Sequence, residues 1–354
     1  MSAPEHPRTT VGVIGAGAWG TALAIHAARA GHTVQLYARE AEVVASVNDP
    51  AIRENTAFLK GFKVPDGLTA TADMPACLAA CDLLLLVVPT PFVAATAAGL
   101  APHLDQARHI LVSCTKGILI DTLETPADIL TRVLPPAFHS RIAFLSGPSF
   151  AAEVAAEAPT AVTIASVDPA TGKAAQTLLS SRRFRCYYTS DVIGVELGGA
   201  LKNVLAIACG IADGLELGCN ARAALITRGL GELTRIAVAR GGHPLTSLGL
   251  AGVGDLVLTC TGDLSRNRTV GMRLGRGEPL DAILKSMTAV AEGVLTSKAA
   301  AALAAKEGVE APIVHGIYAV IHEGADPVAV VEEVMTRALG EEVDASVREA
   351  AKKG

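Results

Sequence analysis

Residues 11–20 read Val11-Gly12-Val13-Ile14-Gly15-Ala16-Gly17-Ala18-Trp19-Gly20: a short β-branched run, then a complete G-x-G-x-x-G, then the opening of an alanine-rich stretch. A strand, a tight turn and a helix in that order make a dinucleotide-binding unit. The first glycine permits the turn, the second lets a pyrophosphate approach the backbone, and the third lets helix and strand pack closely. Amides at the start of the helix favour negative charge. The chain has 34 glycines, so the triplet alone is weak. Its setting makes it specific: a strand over residues 11–14 precedes it, a helix over 21–30 follows, and a second strand over 33–37 ends roughly 20 residues on.

That second strand also bears on the cofactor. It closes on Tyr37-Ala38-Arg39-Glu40, where an NAD site would place an acidic residue for the ribose hydroxyls. Arg39 is suited to a 2′-phosphate instead, and Glu40 lies one position beyond a ribose ligand, so NADP is preferred with NAD acceptable.

Further along, apolar runs at 83–88, 109–113, 142–145 and 161–165 alternate with helical stretches, as a parallel sheet covered by helices requires. From Asp191 onward the strand signal stops. Helices are predicted over 195–213, 221–240, 280–284, 296–306, 312–323 and 327–336, separated by Gly and Pro clusters. The fold class is therefore an α/β Rossmann-type doubly wound domain, residues 1–190, followed by an all-α domain, residues 191–354. The first ten residues and the stretch after about residue 340 read as a loose arm and an exposed tail.

Composition limits the partners. The 354 residues are 50% hydrophobic, 3% aromatic and 18% charged, which excludes disorder and implies a core of Ala, Val, Leu and Ile. Lys and Arg number 30 against 35 Asp and Glu, a formal charge of −5, so there is no global footprint for nucleic acid or an anionic membrane. A local basic cluster could still bind a small anion. The mean hydropathy of +0.40 is high, yet prolines interrupt residues 83–104 and residues 197–211 are short and polar at Lys202 and Asn203. Neither reads as a transmembrane helix. The amino terminus lacks an apolar core, which makes a secretory signal unexpected. Seven cysteines without a C-x-x-C pair read as reduced core residues of a cytoplasmic protein, and no metal is expected.

Lys202 stands out in the helical half. Between Leu197 and Ile211 the strongly polar residues are Lys202 and Asn203. An ammonium on a helix apolar all round is costly unless it faces a cleft, and burial disfavours its charge, which brings proton transfer near neutral pH within reach. Glu196 is either its partner or a first-turn carboxylate suited to the helix dipole. Lys116, just after the strand ending near Ser113, falls at the carboxyl edge of the sheet, where α/β proteins bind ligands. Ser265-Arg266-Asn267-Arg268 combines donors suited to a phosphate. Asp255, after Gly252 and Gly254, reads equally well as a helix cap or a site residue.

These stretches resemble one family over nearly the whole chain. GAGAWGTALA from Gly15, Arg39, VPT around Pro89, SCTKGI around Lys116, SGPSFAAEV from Ser146, ELGGALKNVLAIACGIADG from Glu196, NARAALITRGL from Asn220, GLAGVGDLVLTC from Gly249, SRNR from Ser265 and AEGVLTS around Glu292 are similar to the soluble bacterial NAD(P)-dependent glycerol-3-phosphate dehydrogenases. The resemblance implies reduction of dihydroxyacetone phosphate to sn-glycerol 3-phosphate for phospholipid synthesis, by a cytoplasmic homodimer. It makes Lys202 the catalytic proton donor, and the base in the reverse direction. Lys116, Gly147, Ser149, Asp255, Ser265, Arg266 and Asn267 fall on substrate positions. Gly15, Gly17, Ala18, Trp19, Gly20, Arg39, Lys116, Ala151, Arg266, Val290 and Glu292 fall on cofactor positions. Ala18 replaces the serine common there, which removes a hydroxyl but no backbone donor.

Overall fold

The computed structural model describes residues 8–287, 291–338, 341–342 and 344–353. The chain divides into two units. One runs to Lys116 and resumes over Pro126–Val192; the other comprises Gly117–Thr125 and the residues from Ile193 onward.

The first unit is built from β1 (Thr10–Ile14), α1 (Ala18–Arg29), β2 (Thr33–Tyr37), α2 (Ala41–Asn48), β3 (Leu68–Thr71), α3 (Met74–Ala80), β4 (Leu83–Leu86), α4 (Val93–Leu100), β5 (Ile110–Ser113), α5 (Pro126–Val133), β6 (Ile142–Ser146), α6 (Ala151–Ala155), β7 (Thr160–Ala165), α7 (Pro169–Leu179) and β8 (Phe184–Thr189). They form one sheet in the order β3-β2-β1-β4-β5-β6-β7-β8. The order reverses between β1 and β4, the switch point of a doubly wound sheet, where ligands bind beyond the strands' carboxyl ends. Leu83, Leu84, Leu85 and Leu86 of β4 are all fully buried, because helices cover both faces of a central strand.

The sheet is not parallel throughout. β7 pairs antiparallel with β6, and β8 runs parallel to β7. The connecting helix α6 has five residues and so spans about 7.5 Å, whereas β6, also five residues, spans about 16 Å. A helix that short cannot carry the chain back for a parallel crossover. β3 and β8 escape the sequence pattern because they are the two edge strands. Their sequences, Leu-Thr-Ala-Thr and Phe-Arg-Cys-Tyr-Tyr-Thr, alternate buried with exposed or half-buried positions and lack the continuous apolar run of the central strands.

The second unit is helical, with no strand among its described residues: α8 (Val192–Gly214), α9 (Gly218–Ala239), α10 (Asp255–Thr261), α11 (Arg266–Gly275), α12 (Leu280–Ser286), α13 (Glu292–Lys306), α14 (Pro312–Tyr318), α15 (Pro327–Met335) and α16 (Ala345–Lys353). α8 is long and apolar enough to cross a membrane, but 94% of its apolar window is buried, as in a core helix. Two expectations change. Residues 345–353, read as tail, form α16, which packs against α9. Gly117–Thr125, placed by sequence in the first domain, belongs to the helical unit, whose core includes Ile118 with Ile120 and Leu123 packed against it.

Glycines set the crossing of α8 and α11. A Cβ at Gly210 would lie 2.1 Å from the Arg268 carbonyl oxygen, one at Gly214 2.2 Å from that of Met272, one at Gly271 2.1 Å from that of Ile207, and one at Gly275 2.5 Å from that of Ile211. Only hydrogen fits at these four positions, so the two backbones meet directly. This contact fixes the amino end of α11 beside Lys202 and Asn203. Six cysteines are buried as expected; Cys219 is exposed.

Candidate active site

In the first unit, the glycine turn meets each requirement of its motif separately. Gly15 adopts φ +117°, and a Cβ there would lie 2.2 Å from the Val87 carbonyl oxygen. A Cβ at Gly20 would lie 1.9 Å from the Gly15 carbonyl oxygen, so helix and turn touch. A Cβ at Gly17 would meet nothing within 4 Å, leaving open the side from which a pyrophosphate approaches. Gly17 caps α1 without a side-chain hydrogen bond, so no cap side chain occupies the first amides of the helix. Ala18 and Trp19 are the first residues of α1. The Trp19 indole Nε1 is enclosed yet has no hydrogen-bond partner among the described residues, a donor that a bound polar group would satisfy. Arg39 follows β2, is exposed, and makes no side-chain hydrogen bond or ion pair among the described residues. The open glycine, the uncapped amides and the unused donor together fit the pyrophosphate of a dinucleotide.

Three further predicted residues of this unit gather at one point. Lys116 Nζ donates to the Gly147 carbonyl oxygen at 3.2 Å, and Ser149 Oγ donates to the same oxygen at 3.1 Å. Gly147 has φ +147°, and a Cβ on it would lie 2.9 Å from Val162 Cα, so the loop passes hard against β7. Ala151 opens α6 two residues beyond Ser149.

In the second unit, Lys202 of α8 is 8% exposed and its Nζ donates to Asp255 Oδ1, while Asp255 is fully buried. Burial of either charge alone would be costly, and each offsets the other. Asp255 is the first residue of α10, and Gly254, not Asp255, occupies the cap position. Glu196, offered as a partner of Lys202 or a first-turn carboxylate, lies in the second turn because α8 begins at Val192. Asn203 is drawn into the same region: its Oδ1 accepts from Asn267 Nδ2 at 2.9 Å, while Asn267 Oδ1 accepts from the Gly293 N–H at 2.9 Å. These bonds tie α8, α11 and α13 together next to Lys202.

The phosphate motif separates into parts. Ser265 is 3% exposed and is the N-cap of α11, its Oγ accepting from the Arg268 N–H at 3.2 Å. Its hydroxyl oxygen thus caps the helix, while its O–H remains a donor. Arg268 is held by Asp213 at 2.7 Å and by Asp263 at 3.0 Å. Arg266 is exposed on the first turn of α11 and makes no side-chain hydrogen bond or ion pair among the described residues. Glu292 opens α13. Val290 lies outside the described residues. Asn203 joins these residues through Asn267, and its signal in the sequence is its place beside Lys202 in an otherwise apolar stretch.

The family model of the NAD-dependent glycerol-3-phosphate dehydrogenase N-terminus matches residues 10–172, and that of the C-terminus matches residues 191–332. A glycerol-3-phosphate dehydrogenase (NAD(P)+) of Geobacter sp. (strain M21) is 50% identical over 329 residues, covering 93% of this chain and 97% of that protein. One from Geobacter sulfurreducens is 51% identical over 329 residues, with the same coverage. The crystal structure of glycerol-3-phosphate dehydrogenase from Coxiella burnetii superposes with a TM-score of 0.87 at 39% identity, covering 93% of this chain and 99% of that one. Matched by both halves of the family model and by relatives of half its sequence along almost their full length, the chain belongs to the NAD-dependent glycerol-3-phosphate dehydrogenase family.

Proposed function

We propose that the chain reduces dihydroxyacetone phosphate to sn-glycerol 3-phosphate with NADPH or NADH, and catalyses the reverse oxidation. Within the family, the observation that carries the chemical reading is the Lys202–Asp255 pair, a proton-bearing group fixed in an apolar core.

When bound, the reduced nicotinamide supplies a hydride to the carbonyl carbon. Gly15, Gly17, Ala18, Trp19 and Gly20 hold the pyrophosphate, and Arg39 pairs with the 2′-phosphate, which gives NADP its preference. Lys116, Ala151, Arg266 and Glu292 complete the cofactor contacts. Lys202 Nζ gives its proton to the substrate oxygen as charge develops there, and recovers one from the hydroxyl in the reverse direction. Asp255 positions the ammonium through the ion pair. Lys116, held by the Gly147 carbonyl, adds positive charge, and Gly147 and Ser149 contact substrate.

Arg266 grips the phosphate with its planar fork. Asn267 has its carbonyl and one N–H engaged, and offers the remaining N–H to the same group. Ser265 supports both by capping the helix that carries them. The product serves phospholipid synthesis, and the enzyme is a cytoplasmic homodimer.

The test follows NADPH absorbance with dihydroxyacetone phosphate and then with unphosphorylated dihydroxyacetone. Rapid oxidation with the first alone is expected. Equal rates with both would overturn the phosphate assignment, and no oxidation with either would overturn the function.

A further inference from the structure

A cavity of about 1190 Å³ lies within the first unit, lined by residues at the carboxyl end of α1, at the end of α6 and in the turn leading into β8. α1 has twelve residues, so its carboxyl end is about 18 Å along the helix from the glycine turn at its other end. The cavity is as large as the upper range of small-molecule pockets. Its charge is unusual for a chain of net charge −5. Arg8, Arg29, Arg182 and Arg183 line it, opposed by Glu157 alone.

Only one of the four guanidinium groups is engaged. Arg29 donates to the Ala155 carbonyl at 2.6 Å and lies 3.9 Å from Glu157. Arg8, Arg182 and Arg183 are exposed and make no side-chain hydrogen bond or ion pair among the described residues. The turn that presents two of them is itself ordered: Ser181 Oγ accepts from the Arg183 N–H at 3.3 Å and the Phe184 N–H at 3.1 Å. Four positive charges around one cavity, with one carboxylate among the described lining residues, make it a receptor for a multivalent anion. The rest of the lining combines the methyl groups of Ala30 and Ala158 with the hydroxyls of Ser180 and Ser181, a mixed surface for the uncharged part of the same ligand, while Val154 and Phe184 are almost fully buried.

We propose that this cavity is a second ligand site, separate from the glycine turn, for a small molecule carrying a chain of phosphates, of the size of a nucleoside polyphosphate. The arginines take the phosphates, and the alanine and serine surface takes the remainder.

The test is calorimetric titration of magnesium-free ATP, and separately of inorganic tripolyphosphate, into enzyme saturated with NADPH so that the glycine turn is filled. One equivalent of ATP should bind, more weakly as salt is raised because the arginines are exposed. Arg182→Glu with Arg183→Glu should weaken it by about tenfold to a hundredfold, the range for lost charge-assisted bonds. Turnover of the double variant without ATP should match the parent, since neither residue is in the catalytic machinery. Tripolyphosphate binding as tightly as ATP places the recognition in the arginines alone, and tighter ATP adds the alanine and serine surface; either result supports the site. Absence of ATP binding once NADPH is present, or equal affinity in the double variant, overturns it. The titration reads binding directly, so its failure is distinct from a failure of the dehydrogenase reading.

Discussion

Removing Lys202 tests two things at once, because Asp255 is fully buried against it. Lys202→Ala removes the ammonium paired with a fully buried carboxylate, a loss of about 3–5 kcal/mol for a buried pair broken on one side. Lys202→Arg keeps the positive charge but cannot release a proton near neutral pH. Its turnover is expected to fall by about 10² to 10⁴ with NADPH affinity retained, read by stopped-flow reduction and fluorescence titration. Near-parent turnover in the Arg variant would remove Lys202 from proton transfer. Arg39→Ala should weaken NADPH more than NADH, measured as the ratio of the two dissociation constants; equal losses would show that Arg39 does not read the 2′-phosphate. Gly17→Ala is expected to fold with near-parent thermal stability, since its Cβ meets nothing, yet bind NADPH more weakly. Lys202 was legible in the sequence because a lone charge on an apolar helix demands an account. Asp255 was legible only through the resemblance, since its partner is 53 positions away and a cap reads the same locally. Ser265 has a second role that the motif does not convey: its hydroxyl also caps the helix that presents the motif.

At the scale of elements, legibility followed burial. β1, β4 and β5 announced themselves as apolar runs because both their faces are covered. The edge strands β3 and β8 did not, and the reversal of β7 depended on a helix length that periodicity does not convey. α11 was hidden for another reason: glycines weaken a helical pattern, whereas here they are the surface on which it meets α8. Gly271→Ala is accordingly expected to destabilise by about 1–3 kcal/mol through overpacking, although alanine is the better helix former. Urea unfolding measures it. A stabilised variant would mean that the two backbones are free to separate, and the site residues on them with it.

For the molecule as a whole, acid stability should be governed partly by His26. It is 7% exposed, its ring lies 4.4 Å from Phe184 between centroids, and Nε2 is 2.8 Å from the Leu179 carbonyl oxygen. Burial lowers its pKa from 6.5 to about 4. Because the folded value lies below the unfolded one, the neutral ring contributes stability above pH 6.5 that is lost as pH falls towards 4, about 3 kcal/mol at most. The unfolding free energy should therefore drop between pH 7 and pH 4.5, and His26→Phe should flatten that drop; an unchanged slope would assign the loss to other groups. The division of the chain has a further consequence, for synthesis. Gly117–Thr125 belongs to the helical unit but is made before Pro126–Val192. At about 5–20 residues per second, the roughly 70 residues between take some 3 to 14 s to translate. Throughout that interval Ile118 has no core to enter, and the nascent chain presents an apolar loop that a chaperone can hold until α8 leaves the ribosome.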